Sequence, residues 1–139
     1  SGVGTIGLYI ANKAKEVIGI ESNVAAVNNA KENAELNNIS NCRFHADLVE
    51  NKIAEICQEK NIDAIVFDPP RKGLEESIIE LVGKKKIAKI IYISCNPMTQ
   101  KRDIDNFIKI GYRIKKIQPF DMFPQTWHIE NVIELSYEN

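Results

Sequence analysis

The chain has 139 residues, of which 44% are hydrophobic, and a chain of this length can bury one core but not two. Its 18 basic and 19 acidic side chains give a formal net charge of −1, which excludes an arginine-rich nucleic-acid-binding arm but not a local basic patch. No run of about 18 uncharged apolar residues is present, so the sequence predicts no membrane span.

The cysteines and the opening residues indicate a cellular compartment. Cys42, Cys57 and Cys95 are odd in number and form no CxxC pair, so we expect neither a disulfide framework nor a metal site. The first residues contain no cationic and apolar export signal. Together these features predict a protein of the reducing cytoplasm.

Strand and helix periodicities alternate along the chain. They predict helices over residues 6–14, 23–36, 49–60, 74–82 and 100–110, and strands over residues 16–20, 42–46, 63–67, 88–94, 112–118 and 131–137. Near-continuous apolar strands between amphipathic helices indicate an α/β fold with a mostly parallel sheet covered on both faces. No helix separates the last two strands, which predicts an antiparallel last strand at the sheet edge.

Details of two segments extend this prediction. Ser22 is expected to cap the second helix, whose buried face would contain Val24, Val27, Ala30 and Ala34. A glycine-rich turn opens the chain, and such a turn normally follows a strand. We therefore expect a first core strand, and an upstream region, to precede Ser1.

Unusual polar residues follow the predicted strands, and in parallel α/β sheets ligands bind beyond the carboxyl ends of the strands. These residues are Glu21, Asp47, Asp68-Pro69-Pro70-Arg71, Ser94-Cys95-Asn96-Pro97 and the loop 121–130. A structural protein has no reason to place such residues at every strand end, so this pattern favours an enzyme.

The glycine turn and the first acidic strand end predict a nucleoside-containing cofactor. Gly2 and Gly4 let the backbone approach a ligand, and Glu21 can accept hydrogen bonds from both ribose hydroxyls. A dinucleotide and S-adenosylmethionine both fit this pattern. The stiff Asp68-Pro69-Pro70 loop favours S-adenosylmethionine, because it suits methyltransferases and has no role in hydride transfer. Asp47 could accept a hydrogen bond from adenine or cap the helix that begins at residue 49.

Cys95 is the candidate nucleophile, because it follows a central strand at the edge expected to bind the cofactor. A small buried side chain is the alternative interpretation for Cys95 and the expected one for Cys42 and Cys57. His45 and His128 could act as general bases.

Four motifs, in this order, resemble the RNA (uracil-5-)-methyltransferase family: residues 2–7 (GVGTIG), 68–73 (DPPRKG), 94–99 (SCNPMT) and 121–130 (DMFPQTWHIE). The resemblance covers essentially the whole chain. It implies that residues 1–139 are the carboxyl-terminal catalytic domain of such an enzyme, with a Rossmann-like S-adenosylmethionine methyltransferase fold and an RNA-binding region upstream. By position, Cys95 matches the family's nucleophile and Glu130 its base, while cofactor-contacting positions are matched by Thr5, Glu21, Asp47 and Asp68.

The function that the resemblance implies is synthesis of 5-methyluridine from S-adenosylmethionine, with 23S ribosomal RNA as the expected target and transfer RNA as the alternative. Asp68 or Asn96 could hydrogen-bond the uracil edge. We expect a cytoplasmic monomer that binds RNA but neither DNA nor a membrane. A dinucleotide-dependent oxidoreductase and a catalytically inactive RNA-binding module remain as alternatives. Arg71 and Cys95 argue against methylation of an exocyclic nitrogen, which would require an aromatic residue after Asp-Pro-Pro and no nucleophile.

Overall fold

Helices and strands alternate in the order that the hydrophobic pattern predicts. The computed structural model describes residues 1–122 and 124–138, so Phe123, in the fourth motif, and Asn139 lie outside the described residues. The chain divides into two units, Ser1–Ile56 and Cys57–Asn139. None of the described helices is long and apolar enough to span a lipid bilayer.

The first unit contains a two-stranded parallel ladder and the helices around it. Its strands are β1 (Val17–Glu21) and β2 (Cys42–Ala46), paired so that Glu21 lies opposite Ala46. Its helices are α1 (Thr5–Ile10), which continues into a short 3₁₀ helix (Ala11–Lys13), and α2 (Val24–Leu36). Helix α3 (Val49–Glu59) begins in this unit and ends in the next. The parallel register places the residues that end β1 and β2 side by side.

The core of the first unit is formed by one face of α2 packed on β2. Val27, Ala30 and Ala34 are buried there against Phe44. Val24 was expected on the same face, but it is 61% exposed because it lies in the first turn of α2, beyond this contact. The small side chains of α2 let the helix approach the strand closely.

The cap of α2 also differs from the expectation. Asn23, and not Ser22, supplies the capping oxygen, which accepts hydrogen bonds from the N–H groups of Ala25 (2.9 Å) and Ala26 (3.2 Å). The Ser22 hydroxyl instead donates to Glu21 Oε1 at 3.3 Å. The serine is therefore part of the β1 strand end and not of the helix.

The second unit is built on a four-stranded sheet in the order β3-β4-β6-β5. Its strands are β3 (Ala64–Phe67), β4 (Lys89–Ser94), β5 (Tyr112–Phe120) and β6 (Glu130–Tyr137), with helices α4 (Glu76–Lys85) and α5 (Pro97–Lys109). The β3–β4 pair is parallel, and β6 is antiparallel to both of its neighbours. The antiparallel last strand is thereby confirmed.

The position of β6 at the sheet edge was predicted wrongly. It lies between β4 and β5, so β5 forms the edge. All of β5 after Tyr112 is exposed and carries Arg113, Lys115 and Lys116, as is typical of an edge strand that avoids further pairing. The sequence order of the strands therefore does not match their spatial order.

Aromatic rings in stacked and edge-to-face contact join α5 to the sheet of the second unit. Phe107 of α5 lies 6.3 Å from Phe67 and 5.5 Å from Tyr112, measured between ring centroids. Burial raises the pKa of Tyr112 to about 12, and its hydroxyl donates to the Ile87 carbonyl at 2.9 Å. These contacts hold α5 against β3 and β5, the two outer strands of the sheet.

Candidate active site

The glycine turn of the first unit packs directly on the core. Gly4 precedes α1 with φ at +85°, in the left-handed region that favours glycine. A Cβ at Gly4 would lie 2.9 Å from the Phe44 ring and 3.0 Å from Ala30 Cβ. The turn thus approaches β2 and α2 more closely than a larger residue would allow. Thr5, which follows, opens α1 and is exposed.

Glu21 at the end of β1 organises the turns on either side of it. Its Oε2 accepts a hydrogen bond from the Gly2 N–H at 2.8 Å, and its Oε1 accepts one from the Asn23 N–H at 3.0 Å. These backbone donors, that of Asn23 first, lower the pKa of Glu21 to about 2. The carboxylate is therefore ionised at neutral pH and held in one orientation. This structural role of Glu21 was not foreseen from the sequence.

Asp47 lies next to Glu21, because its N–H donates to the Glu21 carbonyl at 3.0 Å. Its Oδ1 accepts hydrogen bonds from the Leu48 N–H at 2.7 Å and from the Asn51 side chain at 3.4 Å. Asp47 thus lies beside the start of α3 but does not cap it, because Leu48 directly precedes the helix and its carbonyl accepts from the Asn51 and Lys52 N–H groups. The contact to adenine stays a prediction.

In the second unit, the loop after β3 is tied to the start of α5. The Arg71 carbonyl accepts hydrogen bonds from Asn96 Nδ2 at 3.0 Å and from Thr99 Oγ1 at 2.9 Å. Asp68, which opens this loop, is exposed, and desolvation by the surrounding protein raises its pKa. The Asp-Pro-Pro loop and the loop that follows β4 are consequently one connected structure.

A buried carboxylate that the sequence analysis missed also holds this loop. Asp103 of α5 is 1% exposed, and its Oδ2 accepts hydrogen bonds from Tyr92 Oη (2.6 Å) and the Leu74 N–H (2.8 Å). Arg102 donates to Asp103 Oδ1 and to the Lys72 carbonyl. Burial, followed by the neighbouring carboxylate, raises the pKa of Tyr92. Asp103 therefore anchors the far end of the loop that begins at Asp68.

Cys95 follows β4 directly and is partly buried. The next residue, Asn96, caps α5 by accepting a hydrogen bond from the Met98 N–H at 3.2 Å, and Ser94 Oγ accepts from the Asn96 N–H at 3.0 Å. Asn96 Oδ1 and Nδ2 each make one hydrogen bond within the protein, and the contact of Asn96 with the uracil edge stays a prediction. These contacts fix the backbone on both sides of Cys95.

Glu130 opens β6 beside the end of β4. Because Ser94 and Asn131 are paired in the antiparallel register, Cys95 and Glu130 lie at the adjoining ends of neighbouring strands. Glu130 is partly buried, as are residues 128 and 129 before it, whereas residues 124–127 are exposed. The structure therefore brings together the two residues that the resemblance assigns as nucleophile and base.

Cys42 and Cys57 are poorer candidates for a nucleophile. Burial raises the pKa of both thiols, so less thiolate is present at neutral pH. Cys57 is buried, as expected for a small core side chain, and Cys42 is half-buried with its Sγ 3.8 Å from the Gly7 carbonyl.

The two histidines occupy different places. His128 precedes Glu130 by two residues, and its backbone N–H donates to Thr126 Oγ1. His45 lies within β2 of the first unit. No group of three or more His, Cys, Asp or Glu residues in the described part of the chain could hold a metal ion.

The predicted site residues fall into two sets. In the first unit, the turn with Gly2 adjoins Glu21, which adjoins Asp47. In the second unit, Cys95 and Glu130 adjoin each other at the ends of β4 and β6. Asp68 follows β3, the parallel neighbour of β4.

Comparison with solved structures identifies the fold as that of the Rossmann-like α/β methyltransferases. The tRNA (uracil-54, C5)-methyltransferase of Pyrococcus abyssi, solved with S-adenosyl-L-homocysteine, matches with a TM-score of 0.83 and 36% identity. The match covers 97% of this chain and 32% of that one. The family model for tRNA (uracil-5-)-methyltransferase matches residues 1–138, and the chain belongs to this family.

Two bacterial relatives are closer in sequence. An uncharacterised RNA methyltransferase of Streptococcus mutans is 48% identical over 134 residues, and one of Fusobacterium nucleatum is 47% identical over 133. Each match covers 95% of this chain, but only 30% and 29% of the respective relatives. The chain thus spans about 30% of the length of these curated relatives.

The Asp103 network predicts a loss of stability when one of its donors is removed. Tyr92→Phe leaves the buried carboxylate without the phenolic hydrogen bond and should lower the free energy of unfolding by roughly 1–3 kcal/mol. Urea unfolding followed by circular dichroism measures the change. Tyr9→Phe is the control, because Tyr9 is 83% exposed, and it should change nothing. Equal stabilities of the two variants would contradict the importance of this hydrogen bond.

Proposed function

We propose that the full-length protein transfers a methyl group from S-adenosylmethionine to carbon 5 of a uridine in RNA, through a covalent bond between Cys95 and the uracil ring. The observation that carries this proposal is the position of Cys95 and Glu130 at adjoining ends of β4 and β6. Membership of the family and the likeness to the Pyrococcus abyssi enzyme support it. In this proposal residues 1–139 supply the catalytic domain.

The first unit has the groups needed to bind the nucleoside part of the cofactor. Glu21 is a fixed, ionised carboxylate at a strand end, suited to accept hydrogen bonds from ribose hydroxyls. Asp47 beside it would accept from the adenine amino group, and the turn containing Gly2, Gly4 and Thr5 would contact the remainder. The contact of Asp68 with the cofactor stays a prediction. The bound cofactor supplies an electrophilic methyl group.

Cys95 would make carbon 5 of uracil reactive. Its thiolate adds to carbon 6, forming a C–S bond while the electrons of the ring double bond move to the oxygen at carbon 4. The enolate so formed is nucleophilic at carbon 5 and takes the methyl group. Sulfur suits this role because it is nucleophilic near neutral pH and also leaves readily.

Glu130 would complete the reaction as a general base. After methyl transfer, carbon 5 carries both a methyl group and a hydrogen. The carboxylate removes this proton, the double bond between carbons 5 and 6 forms again, and the C–S bond breaks to release the Cys95 thiolate. The two side chains must act on adjacent ring atoms, which agrees with their position on neighbouring strand ends.

The loop between β5 and β6 has side chains that suit an RNA substrate. A uridine can reach this site only from a single-stranded region or after leaving its stack. Met122 and the indole of Trp127 are exposed on the loop that leads to Glu130, and aromatic faces stack on unpaired bases. We retain 23S ribosomal RNA as the expected target and transfer RNA as the alternative, and propose that the enzyme acts as a cytoplasmic monomer.

The cofactor assignment predicts that Glu21→Ala weakens binding of S-adenosylhomocysteine to the full-length protein by roughly 1.5–3 kcal/mol, the value of hydrogen bonds to a charged group. Isothermal titration calorimetry measures this, with Glu35→Ala on the exposed part of α2 as a control that keeps full affinity. NAD should not bind.

Glu21 also holds the neighbouring turns, so a second ligand separates the two effects. An analogue lacking the ribose hydroxyls should bind wild type more weakly than S-adenosylhomocysteine but lose little further affinity in Glu21→Ala. If Glu21→Ala weakens binding of this analogue as much as it weakens binding of S-adenosylhomocysteine, Glu21 acts only by holding the turns.

The nucleophile assignment predicts that Cys95→Ala abolishes methylation while cofactor binding is retained. RNA containing 5-fluorouridine at the target should form a stable adduct with the wild-type protein, because fluorine cannot be removed as a proton is. Peptide mass spectrometry identifies the modified residue. Cys42→Ala and Cys57→Ala are matched controls that should still form the adduct, and an adduct on either of those cysteines would overturn the assignment.

The base assignment predicts that Glu130→Gln stops the reaction after methyl transfer. Glutamine keeps the size of glutamate but cannot accept the proton, so a methylated enzyme–RNA adduct should accumulate on ordinary uridine. A methyl-labelled cofactor and denaturing electrophoresis detect it. Rapid turnover by Glu130→Gln would exclude the role, and accumulation only in a His128 variant would assign the base to His128.

A further inference from the structure

Gln100 is a buried polar side chain in α5 that the proposed reaction does not yet use. It is 1% exposed, and its Nε2 donates to the carbonyls of Tyr92 and Asn131, both at 3.1 Å. Its Oε1 accepts a hydrogen bond from Asn131 Nδ2 at 2.7 Å. The two carbonyls require a donor, so the partners fix the orientation of the amide. Gln100 thus joins α5 to two strands at once.

Both strands end at the candidate catalytic residues. Tyr92 lies on β4, three residues before Cys95, and Asn131 is the second residue of β6, directly after Glu130. Asn131 is also the residue paired with Ser94. The Gln100 amide therefore holds the two strand ends together one residue away from Glu130.

The position of Gln100 matters most for one step of the proposed reaction, the removal of the proton from carbon 5. Thiolate addition depends on Cys95, whereas the later proton transfer also requires Glu130 to reach carbon 5 while sulfur remains on carbon 6. Glu130 opens β6, where it pairs with Phe120 of the edge strand β5, and its next neighbour Asn131 is held by Gln100. Gln100 is therefore the contact from α5 that fixes the start of β6 next to Glu130. A displacement of about 1 Å can slow a reaction step by about 100-fold.

Core packing alone does not require a glutamine at this position. The neighbouring positions Ile104 and Phe107 on the same helix are buried and apolar, and a leucine would fill similar space without the cost of burying an amide. A buried polar group whose hydrogen bonds are satisfied fixes one arrangement of its partners.

We propose that Gln100 is a positioning residue that, through Asn131, sets Glu130 at the correct distance from Cys95, and so acts on proton removal and elimination but not on methyl transfer. This inference rests on the proposed function. The step that depends on Gln100 is the one in which the proton of carbon 5 passes to Glu130 and the C–S bond to Cys95 breaks.

Single-turnover kinetics of the full-length Gln100→Leu variant test this, with methyl-labelled cofactor and ordinary uridine RNA. We expect methyl transfer into the covalent species to stay within about 3-fold of wild type, and release of methylated RNA to slow by about 10-fold to 100-fold. The methylated adduct should accumulate on denaturing gels. Equal slowing of both steps would show a structural role only and overturn the proposal.

Two further variants separate positioning from stability. Ile104→Val, in the same buried face of α5, should destabilise the protein modestly without accumulation of the adduct. Gln100→Leu combined with Asn131→Leu removes both amides, so that neither is left unpaired, and should show the same slow release as the single variant. Adduct accumulation in Ile104→Val, or normal release in the double variant, would overturn the proposal.

The wild-type protein distinguishes failure of the inference from failure of the function. If wild type forms the 5-fluorouridine adduct on Cys95 and Glu130→Gln stalls, but Gln100→Leu releases RNA at the wild-type rate, only the role of Gln100 is wrong. If wild type forms no adduct on Cys95, both the proposed function and the inference are overturned.

Discussion

The pairing of β4 with β6 is the constraint on which the candidate catalytic site depends. Cys95 and Glu130 are 35 positions apart in the chain, and they adjoin because Ser94 lies opposite Asn131 in an antiparallel register. A shift of this register by one residue would turn the side chains of β6 to the opposite face of the sheet. Helix α5 lies between the two strands in sequence, and its side chains make the contacts that hold this register.

Two buried polar side chains of α5 connect the helix to different parts of the site. Asp103 anchors the loop that begins at Asp68, and Gln100 joins the ends of β4 and β6. Burying a carboxylate or an amide costs free energy unless its hydrogen bonds are made, and several partners are within hydrogen-bond distance of each of these two side chains. Removing one partner is therefore expected to cost more than the average hydrogen bond, and the same network couples helix packing to site geometry.

The order of helices and strands could be predicted from the sequence, because apolar runs rich in isoleucine, such as residues 90–93, and the amphipathic pattern of α5 have distinct periods. Glu21, Asp47 and Cys95 could be selected as candidate site residues because each stands where a predicted strand ends. The place of β6 inside the sheet could not, since pairing between distant strands leaves no local signal. The cap of α2 was missed because Ser22 and Asn23 have similar capping preferences, and only the structure shows that the serine hydroxyl donates to Glu21.

Gln100 and Asp103 were missed for another reason, although a signal was present: both fall among the apolar positions of α5, next to Ile104 and Phe107. Burying a polar residue at such a position costs free energy unless its hydrogen bonds are made.

The central claim, that this chain contributes to forming 5-methyluridine, is tested most directly by mass spectrometry of nucleosides from separately purified ribosomal and transfer RNA, with and without the full-length gene. The proposed function predicts that 5-methyluridine decreases in one RNA fraction on deletion and returns on complementation. An unchanged 5-methyluridine content in both fractions would contradict it.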